Sequence, residues 1–152
     1  SFRCAGSGLT SLDYLPAHIG GGIWIRENEN LTSLKGLPEE INGDLSASSC
    51  NLTSLKGISS IILGNCYLSH NRLTSLEGIY KLIKQIRGIC YLQQNPIKSH
   101  VLGLLKIDGL DEVHLTNDKV QMIINKHLLN GRDIFACQEE LIDAGLEEYA
   151  QL

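Results

Sequence analysis

The sequence predicts an α/β repeat solenoid, with parallel strands lining a concave face and a helical segment at its C-terminal end. Three observations support this fold. The tetrapeptide Leu-Thr-Ser-Leu occurs four times, starting at Leu9, Leu31, Leu52 and Leu73. A strand-like motif recurs just before these copies, and after residue 116 the apolar residues take helical spacing. A repeat of about 21 residues indicates one supersecondary unit stacked several times.

The strand motif has the pattern apolar-x-apolar-x-x-Asn-x-apolar. It is clearest in residues 66–73 (CYLSHNRL) and recurs in residues 90–97 (CYLQQNPI). The same template fits four further segments, which begin at Phe2, Ile23, Leu45 and Val113. Alternate side chains of a strand point to opposite faces, so the two apolar positions are predicted to face the core. About six repeats are therefore predicted over residues 1–116, the first of them truncated.

The Asn position of the motif is predicted to lie where the chain turns away from the sheet. A short polar side chain there can bond to exposed backbone groups of neighbouring turns, so that stacked repeats form a ladder. This predicted ladder consists of Ser7, Asn28, Cys50, Asn71, Asn95 and Asp118.

These motifs resemble the leucine-rich repeat, whose strand segment reads LxLxxN/CxL. Cys50 fits the resemblance, because cysteine is the accepted alternative to asparagine at that position. Residues 31–45 (LTSLKGLPEEINGDL) are most similar to the LTSLxGLPxxIxGDL repeats of bacterial and tailed-phage members. The resemblance implies a curved solenoid that binds proteins. The phage version implies a protein that binds and modulates a host factor in the host cytoplasm.

The short arms between strands leave no room for full helices on the convex side, so extended or single-turn structure is predicted there. Residues 79–87 form a longer arm that is predicted to contain one or two helical turns. In a helix, the spacing of Lys81, Lys84 and Arg87 would place their charges together. This basic strip is either a solvated face or a second binding surface.

Residues 117–152 form the second predicted domain, a helical cap. Apolar residues recur at helical spacing over residues 120–128, preceded by Asn117 or Asp118 as N-cap. A second helix is predicted to begin after Asp133 and to bury Ile134, Cys137, Leu141 and Ile142, with a last short turn in residues 146–152. The open end of a solenoid would otherwise expose its core, which is why a cap is expected.

The residues that point outward from the predicted strands form two columns. The first reads Arg3, Trp24, Ser46, Tyr67, Tyr91 and His114. The second reads Ala5, Arg26, Ser48, Ser69, Gln93 and Thr116, with His70 at its edge. Trp, Tyr and Arg often dominate protein interfaces because they bury much area with few rotatable bonds. The predicted protein-binding residues are Arg3, Trp24, Arg26, Tyr67, Ser69, His70, Tyr91, Gln93 and His114. The alternative is that strand propensity alone accounts for the aromatic residues.

Composition argues against several other classes. The net charge of −4 includes no basic stripe for nucleic acid, and no apolar run reaches the length of a membrane span. The five cysteines contain no CxxC pair, which favours a reducing, cytoplasmic compartment. Cys66 and Cys90 share one inward column and are interpreted as core residues, with a metal pair or a redox disulfide as the alternative.

The sequence therefore predicts a non-catalytic protein-binding module without a metal or cofactor. The histidines are scattered without metal-ligand spacing, and no nucleophile, base and orienting group come together. Two alternatives stay open. In the first, the chain is the targeting part of a longer effector enzyme. In the second, it is an assembly element that dimerises through an open N-terminal strand edge, so both a monomer and a dimer are considered.

Overall fold

The computed structural model describes residues 1–152 and shows parallel strands stacked as a β-solenoid of about five turns. In chain order, the elements are β1 (Phe2–Arg3), β2 (Ile23–Trp24), β3 (Glu40–Ile41), β4 (Leu45–Ser46), β5 (Ile61–Ile62), β6 (Cys66–Tyr67), α1 (Ile79–Leu82), β7 (Gln85–Ile86), β8 (Ile89–Tyr91), a 3₁₀-helix (Leu102–Lys106), β9 (Glu112–His114), α2 (Asp118–Leu129) and α3 (Ile134–Asp143). Each strand is only two or three residues long, because each turn of the solenoid crosses the sheet once and then bends away.

Two parallel sheets run along the solenoid. The main sheet has the order β1-β2-β4-β6-β8-β9, and the second sheet has the order β3-β5-β7. The register of the main sheet follows the sequence template, for example with Leu45 opposite Cys66 and Cys66 opposite Cys90. The second sheet was not predicted. Its strands lie in the connectors, for which extended or single-turn structure was predicted.

The core is one continuous cluster of 37 buried apolar residues between the two sheets, the arms and the C-terminal helices. The leucines of the LTSL copies contribute to it, and Leu31 and Leu34 are fully buried. The serine of each copy accepts a hydrogen bond from the backbone two residues later, as in the 3.1 Å bond from Lys35 N to Ser33 Oγ. The tetrapeptide therefore combines two core residues with the residue that closes the turn.

The asparagine ladder is the polar counterpart of this core. Asn71 Oδ1 accepts hydrogen bonds from the backbone N–H groups of Cys50 and Leu52, both at 3.0 Å. Its Nδ2 donates to the carbonyl oxygens of Ala47 and Leu68, also at 3.0 Å. Each such side chain thus ties two neighbouring turns together and leaves no buried polar atom of its own unpaired.

The ladder comprises Asn28, Cys50, Asn71 and Asn95, whose side chains all bond to backbone of the adjacent turn. The prediction was wrong at both ends. The Ser7 side chain is exposed and bonds only to the nearby Ala5 carbonyl, although the Ser7 backbone N–H donates to Asn28 Oδ1 at 3.0 Å. Asp118 is the first residue of α2, because Asn117 caps that helix with its side chain. Residue 118 cannot both begin a helix and take the backbone conformation of a ladder position.

The C-terminal helices lie against the last turn of the solenoid. Two α2 side chains bond to the edge strand: Asn125 accepts from Val113 N and donates to Val113 O at 2.8 and 2.9 Å, and Gln121 accepts from Leu115 N at 2.8 Å. Backbone groups that would otherwise bond to a further strand are thus satisfied by side chains. α2, the longest helix, has 12 residues, and no helix combines the length and apolarity that crossing a bilayer requires.

Helix α3 follows its predicted start and differs in two details. Asp133 caps it through a 3.0 Å bond from Ala136 N, and Cys137 is buried. Ile142, predicted to be buried, is 46% exposed, because it lies on the side of α3 away from the core. Beyond Gly145, whose φ is 76°, the chain forms turns and not the predicted helical turn.

The basic strip of the long arm does not form. Helix α1 ends at Leu82, and Ile83 is extended. The backbone N–H groups of Lys84 and Gln85 both bond to Ser60 O, at 2.8 and 3.1 Å, as the chain enters the second sheet. Pairing with the preceding turn therefore replaces the second helical turn, and Lys84 and Arg87 do not continue the helix that carries Lys81.

Candidate functional site

The exposed face of the main sheet brings the first predicted column together in one row. Strand pairing places Arg3 opposite Trp24, Trp24 opposite Ser46, Ser46 opposite Tyr67, Tyr67 opposite Tyr91 and Tyr91 opposite His114. We call this row the outward column. Its position follows from sequence, because each member lies between two inward-facing apolar residues of a strand segment; these are buried in every segment except the first, where Phe2 and Cys4 are half-buried.

The side chains of the outward column stack on one another. The rings of Tyr67 and Tyr91 are parallel within 4° with centroids 4.7 Å apart, and those of Tyr91 and His114 are 4.8 Å apart at 21°. At the other end, the Arg3 guanidinium lies 4.4 Å from the ring centroid of Trp24. These distances match the spacing of parallel strands, so the backbone sets the stacking.

Ser46 interrupts the stack between Trp24 and Tyr67. It is the one short side chain in the column and is only 5% exposed, since taller rings stand on both sides of it. The outward column therefore consists of two stacked groups, Arg3 with Trp24 and Tyr67 with Tyr91 and His114, separated by one strand.

The second predicted column lies beside the first, further along each strand. Ser48 and Ser69 are adjacent, with a 3.1 Å hydrogen bond between their hydroxyls. Arg26 is exposed and lies 3.8 Å from the Glu27 carboxylate. Gln93 is half-buried, and its Oε1 has no hydrogen-bond partner. This row is thus small and polar at its centre and charged near β2.

The edge of this face is a row of corner residues in the left-handed backbone region. Glu27, Ser49, His70 and Gln94 have φ between 56° and 62° at equivalent places in successive turns. Gly6 occupies the same place in the first turn, with φ of 57°. The predicted site residue His70 is exposed here, at the margin of the sheet.

Two polar residues at the start of the strands, Asp44 and Asn65, were not among the predicted site residues. Asp44 Oδ1 accepts a 2.7 Å bond from Asn65 N, and Asn65 Oδ1 accepts a 2.9 Å bond from Ile89 N. Asn65 Nδ2 also donates to the Tyr67 hydroxyl at 3.2 Å, which fixes that ring along its strand. The signal was available, because an acid or amide precedes the strand in two successive repeats.

A charged group lies at the last strand. His114 Nε2 is 3.3 Å from a carboxylate oxygen of Glu112, so β9 presents a histidine and an acid side by side at the end of the stack. No cluster of three or more His, Cys, Asp or Glu side chains is placed to hold a metal ion.

The packed core keeps the thiols of Cys50, Cys66 and Cys137 in the protonated, weakly nucleophilic form. Cys66 and Cys90 face each other in register and are fully buried. Their mutual hydrogen bond, followed by burial, raises the pKa of Cys66 well above the usual thiol value. Burial raises the pKa of Cys137 to about 12 and also raises that of Cys50. Because the thiolate is the nucleophilic and metal-binding form, these side chains behave as core residues.

A smaller aromatic and basic group lies where α1 and the 3₁₀-helix meet. The Lys106 ammonium lies 4.4 Å from the Tyr80 ring centroid, and Lys81 lies 5.9 Å from it. Both lysines are exposed. This group borders a shallow cleft lined also by His100, Leu102 and Gly103.

No protein-family model matches the chain, and a search of curated proteins and of solved structures finds no significant match.

Proposed function

We propose that this chain is a leucine-rich-repeat solenoid of the bacterial or tailed-phage type that binds a protein partner through the exposed face of its main sheet. The outward column carries the proposal. Five of its six members are large side chains stacked on neighbours, so they are ordered before a partner arrives. Binding through such a surface loses less side-chain entropy than binding through mobile residues.

Residue types support a protein partner. Trp, Tyr and Arg are the side chains that most often carry interface energy. Trp24, Tyr67 and Tyr91 lie on inner strands of the main sheet, and Arg3 lies on its edge strand β1. The polar second column, with Arg26, Ser69 and Gln93, would supply hydrogen bonds around them, and His70 would lie at the rim. A net charge of −4 and the mixed charges of the face favour a protein over a nucleic acid.

The same proposal assigns the two C-terminal helices as the cap of the solenoid. Their support is the set of bonds from α2 to the edge strand and the shared core, which includes Cys137 and Leu141. In the phage version of the proposal, the protein acts without catalysis in the host cytoplasm, where it occupies and modulates a host factor. A shape complementary to one partner is sufficient for that role.

Affinity capture with matched variants tests the proposal. Host lysate is passed over immobilised wild-type protein, the double variant Trp24→Ala/Tyr67→Ala, and a control variant Tyr14→Ala. Tyr14 is an aromatic residue that is 98% exposed and lies outside the main sheet. The proposal expects a protein retained by wild type and by the control and lost with the double variant. Equal retention by all three would show that the sheet face is not the binding surface.

A further inference from the structure

The interruption of the stack at Ser46 forms a slot with two aromatic walls. Arg3 covers one face of the Trp24 ring from β1, so the opposite face is directed toward β4. Tyr91 covers one face of the Tyr67 ring from β8, so the opposite face of Tyr67 is also directed toward β4. The uncovered faces of Trp24 and Tyr67 are therefore directed toward each other, with strand β4 between them.

The width of this slot suits one planar group. Trp24 and Tyr67 are separated by two strand steps, which is roughly 9.6 Å. A flat group that stacks on Trp24 as Arg3 does, at 4.4 Å, then lies at a normal stacking distance from Tyr67. The backbone holds the walls apart, and Ser46 is too short to fill the space between them.

The floor of the slot is polar and carries a negative charge. Asp44 precedes Ser46 by two residues and so points to the same face of the sheet. Its Oδ1 is held by the 2.7 Å bond from Asn65 N, and its second carboxylate oxygen accepts no hydrogen bond from the chain. On the Trp24 side, the ring lies against Gly22, where an added Cβ would be 2.5 Å from it. The Asp44 carboxylate is thus held in place two residues before Ser46, beside Asn65 of the next strand segment.

We infer that the slot binds an arginine side chain of the protein partner, an assignment that rests on the proposed function. The guanidinium is flat, which suits parallel walls, and positive, which suits both the π faces and the Asp44 carboxylate. Arg3 already demonstrates the stacking geometry on the outer face of Trp24. A lysine ammonium has the same charge and lacks the flat surface that would contact both rings.

Two arginines of this chain lie near the slot, and their positive charge lowers its affinity for an arginine of the partner. Arg26 follows Trp24 by two residues and so points to the same face of the sheet. It is exposed, and its Nε atom lies 3.8 Å from a carboxylate oxygen of Glu27. Arg3 is separated from the slot by the Trp24 ring. An isolated arginine is therefore expected to bind weakly, and the remainder of a partner would add contacts with the second column.

Fluorescence of Trp24 provides a direct assay, since it is the only tryptophan in the chain. The probes are three capped tripeptides of the form acetyl-Gly-X-Gly-amide, in which X is arginine, lysine or phenylalanine. The arginine peptide is expected to give a saturable change in emission, with an affinity at least about fivefold above that of the lysine peptide. A stronger response to the phenylalanine peptide, or no saturable response to arginine, would overturn the assignment.

Two variants test where the arginine peptide binds. Ser46→Tyr fills the slot with a ring and is expected to abolish the response. Asp44→Asn keeps the acceptor for Asn65 N, removes the charge, and is expected to weaken arginine binding by about two- to fivefold. Circular dichroism and thermal melts establish that each variant is folded; if Ser46→Tyr does not fold, Asp44→Asn carries the test. Unchanged arginine binding in the folded variants contradicts the assignment.

The outcome is separable from that of the proposed function. If the sheet face binds a partner without using the slot, Trp24→Ala/Tyr67→Ala loses the captured protein while Ser46→Tyr retains it. That pattern refutes the arginine slot and keeps the binding module. A second pattern has the opposite meaning. If both variants retain the captured protein, while the arginine peptide changes Trp24 emission in wild type and not in Ser46→Tyr, the slot binds a guanidinium group and the proposed protein-binding role fails.

Discussion

The inside of each turn and the outward column follow opposite rules, although they lie a few residues apart. Inside, Leu31 and Leu52 recur with the same neighbours, and successive ladder asparagines accept the same bond from the backbone N–H of an LTSL leucine. Outside, no two neighbouring strands of the first three carry the same residue, as Arg3, Trp24 and Ser46 show. Further along the sheet Tyr67 and Tyr91 are identical neighbours, so the contrast is strongest between β1 and β4. Repetition inside therefore marks what each turn needs in order to fold, and the outward residues of β1 to β4 are free of that requirement.

The largest expected effect comes from breaking the ladder. Asn71→Ala removes the acceptor for two buried backbone N–H groups and the donor to two carbonyls. We expect the free energy of unfolding to fall by about 3 to 5 kcal/mol, measured by urea denaturation. The exposed Asn42→Ala is the control and should change it by less than about 0.5 kcal/mol. Similar losses in both variants would show that the ladder does not hold the turns together.

A smaller effect is expected where the helices join the solenoid. The Arg132 guanidinium donates to the carbonyl oxygens of Ile107 and Leu110, both at 2.6 Å. Arg132→Ala is expected to lower the free energy of unfolding by about 2 kcal/mol, because two charge-assisted bonds are lost. Hydrogen exchange should accelerate most in α3. Exposed Arg87→Ala is the control; acceleration spread evenly over all strands would argue against a local anchor.

The corner residues provide a change in the opposite direction. Ser49 has φ of 58°, a conformation that is unfavourable for a residue with a Cβ. Ser49→Gly is expected to raise the free energy of unfolding by about 0.5 kcal/mol, after the greater flexibility of glycine in the unfolded chain is counted. The reverse change, Gly6→Ala at φ of 57°, should lower stability by about 1 kcal/mol. Thermal melts of both variants measure the pair, and shifts of the same sign would contradict the argument.

The smallest effect concerns pH. The Lys126 ammonium, 2.5 Å from a Glu140 oxygen, is the main reason that the pKa of Glu140 is lowered, with a smaller contribution from His127. A carboxyl with a lowered folded pKa stabilises the protein above its ordinary value of 4.5 and loses this contribution as the pH falls through the folded value. Glu140→Gln should therefore flatten the acid side of a plot of melting temperature against pH. An unchanged acid slope would mean that the exposed pair contributes nothing measurable.

Sequence predicted the main sheet well because repetition supplied independent copies of one signal. A single strand of two residues such as Leu45–Ser46 carries no reliable pattern, but six aligned copies identify both the strands and their register. The same logic explains the failures. The second sheet lies in connectors that agree poorly between repeats, and Asp118 matched the ladder template while its neighbour Asn117 started a helix.

The sequence predicted where the outward residues lie and that they line up in one row, and it did not predict the hydrogen bonds around them. Alternation along strands places Trp24 and Tyr67 on the outer face, and stacking in register follows from the repeat. The recurrence of an acid or amide before the strand marked Asp44 and Asn65 as a pair, and their bonding partners depend on the geometry of the turn before each strand. The helical prediction for Lys84 failed because pairing with Ser60 outweighed local helix preference.

The central claim is that the core and the asparagine ladder stabilise the fold while the outward column binds the partner. Measuring both stability and binding on one variant tests it most directly. Trp24→Ala/Tyr67→Ala removes the walls of the slot without touching the core or the ladder. The account predicts that the free energy of unfolding falls by no more than about 2 kcal/mol while the partner captured by wild type is lost. A variant that retains the partner, or that loses as much stability as Asn71→Ala, would contradict it.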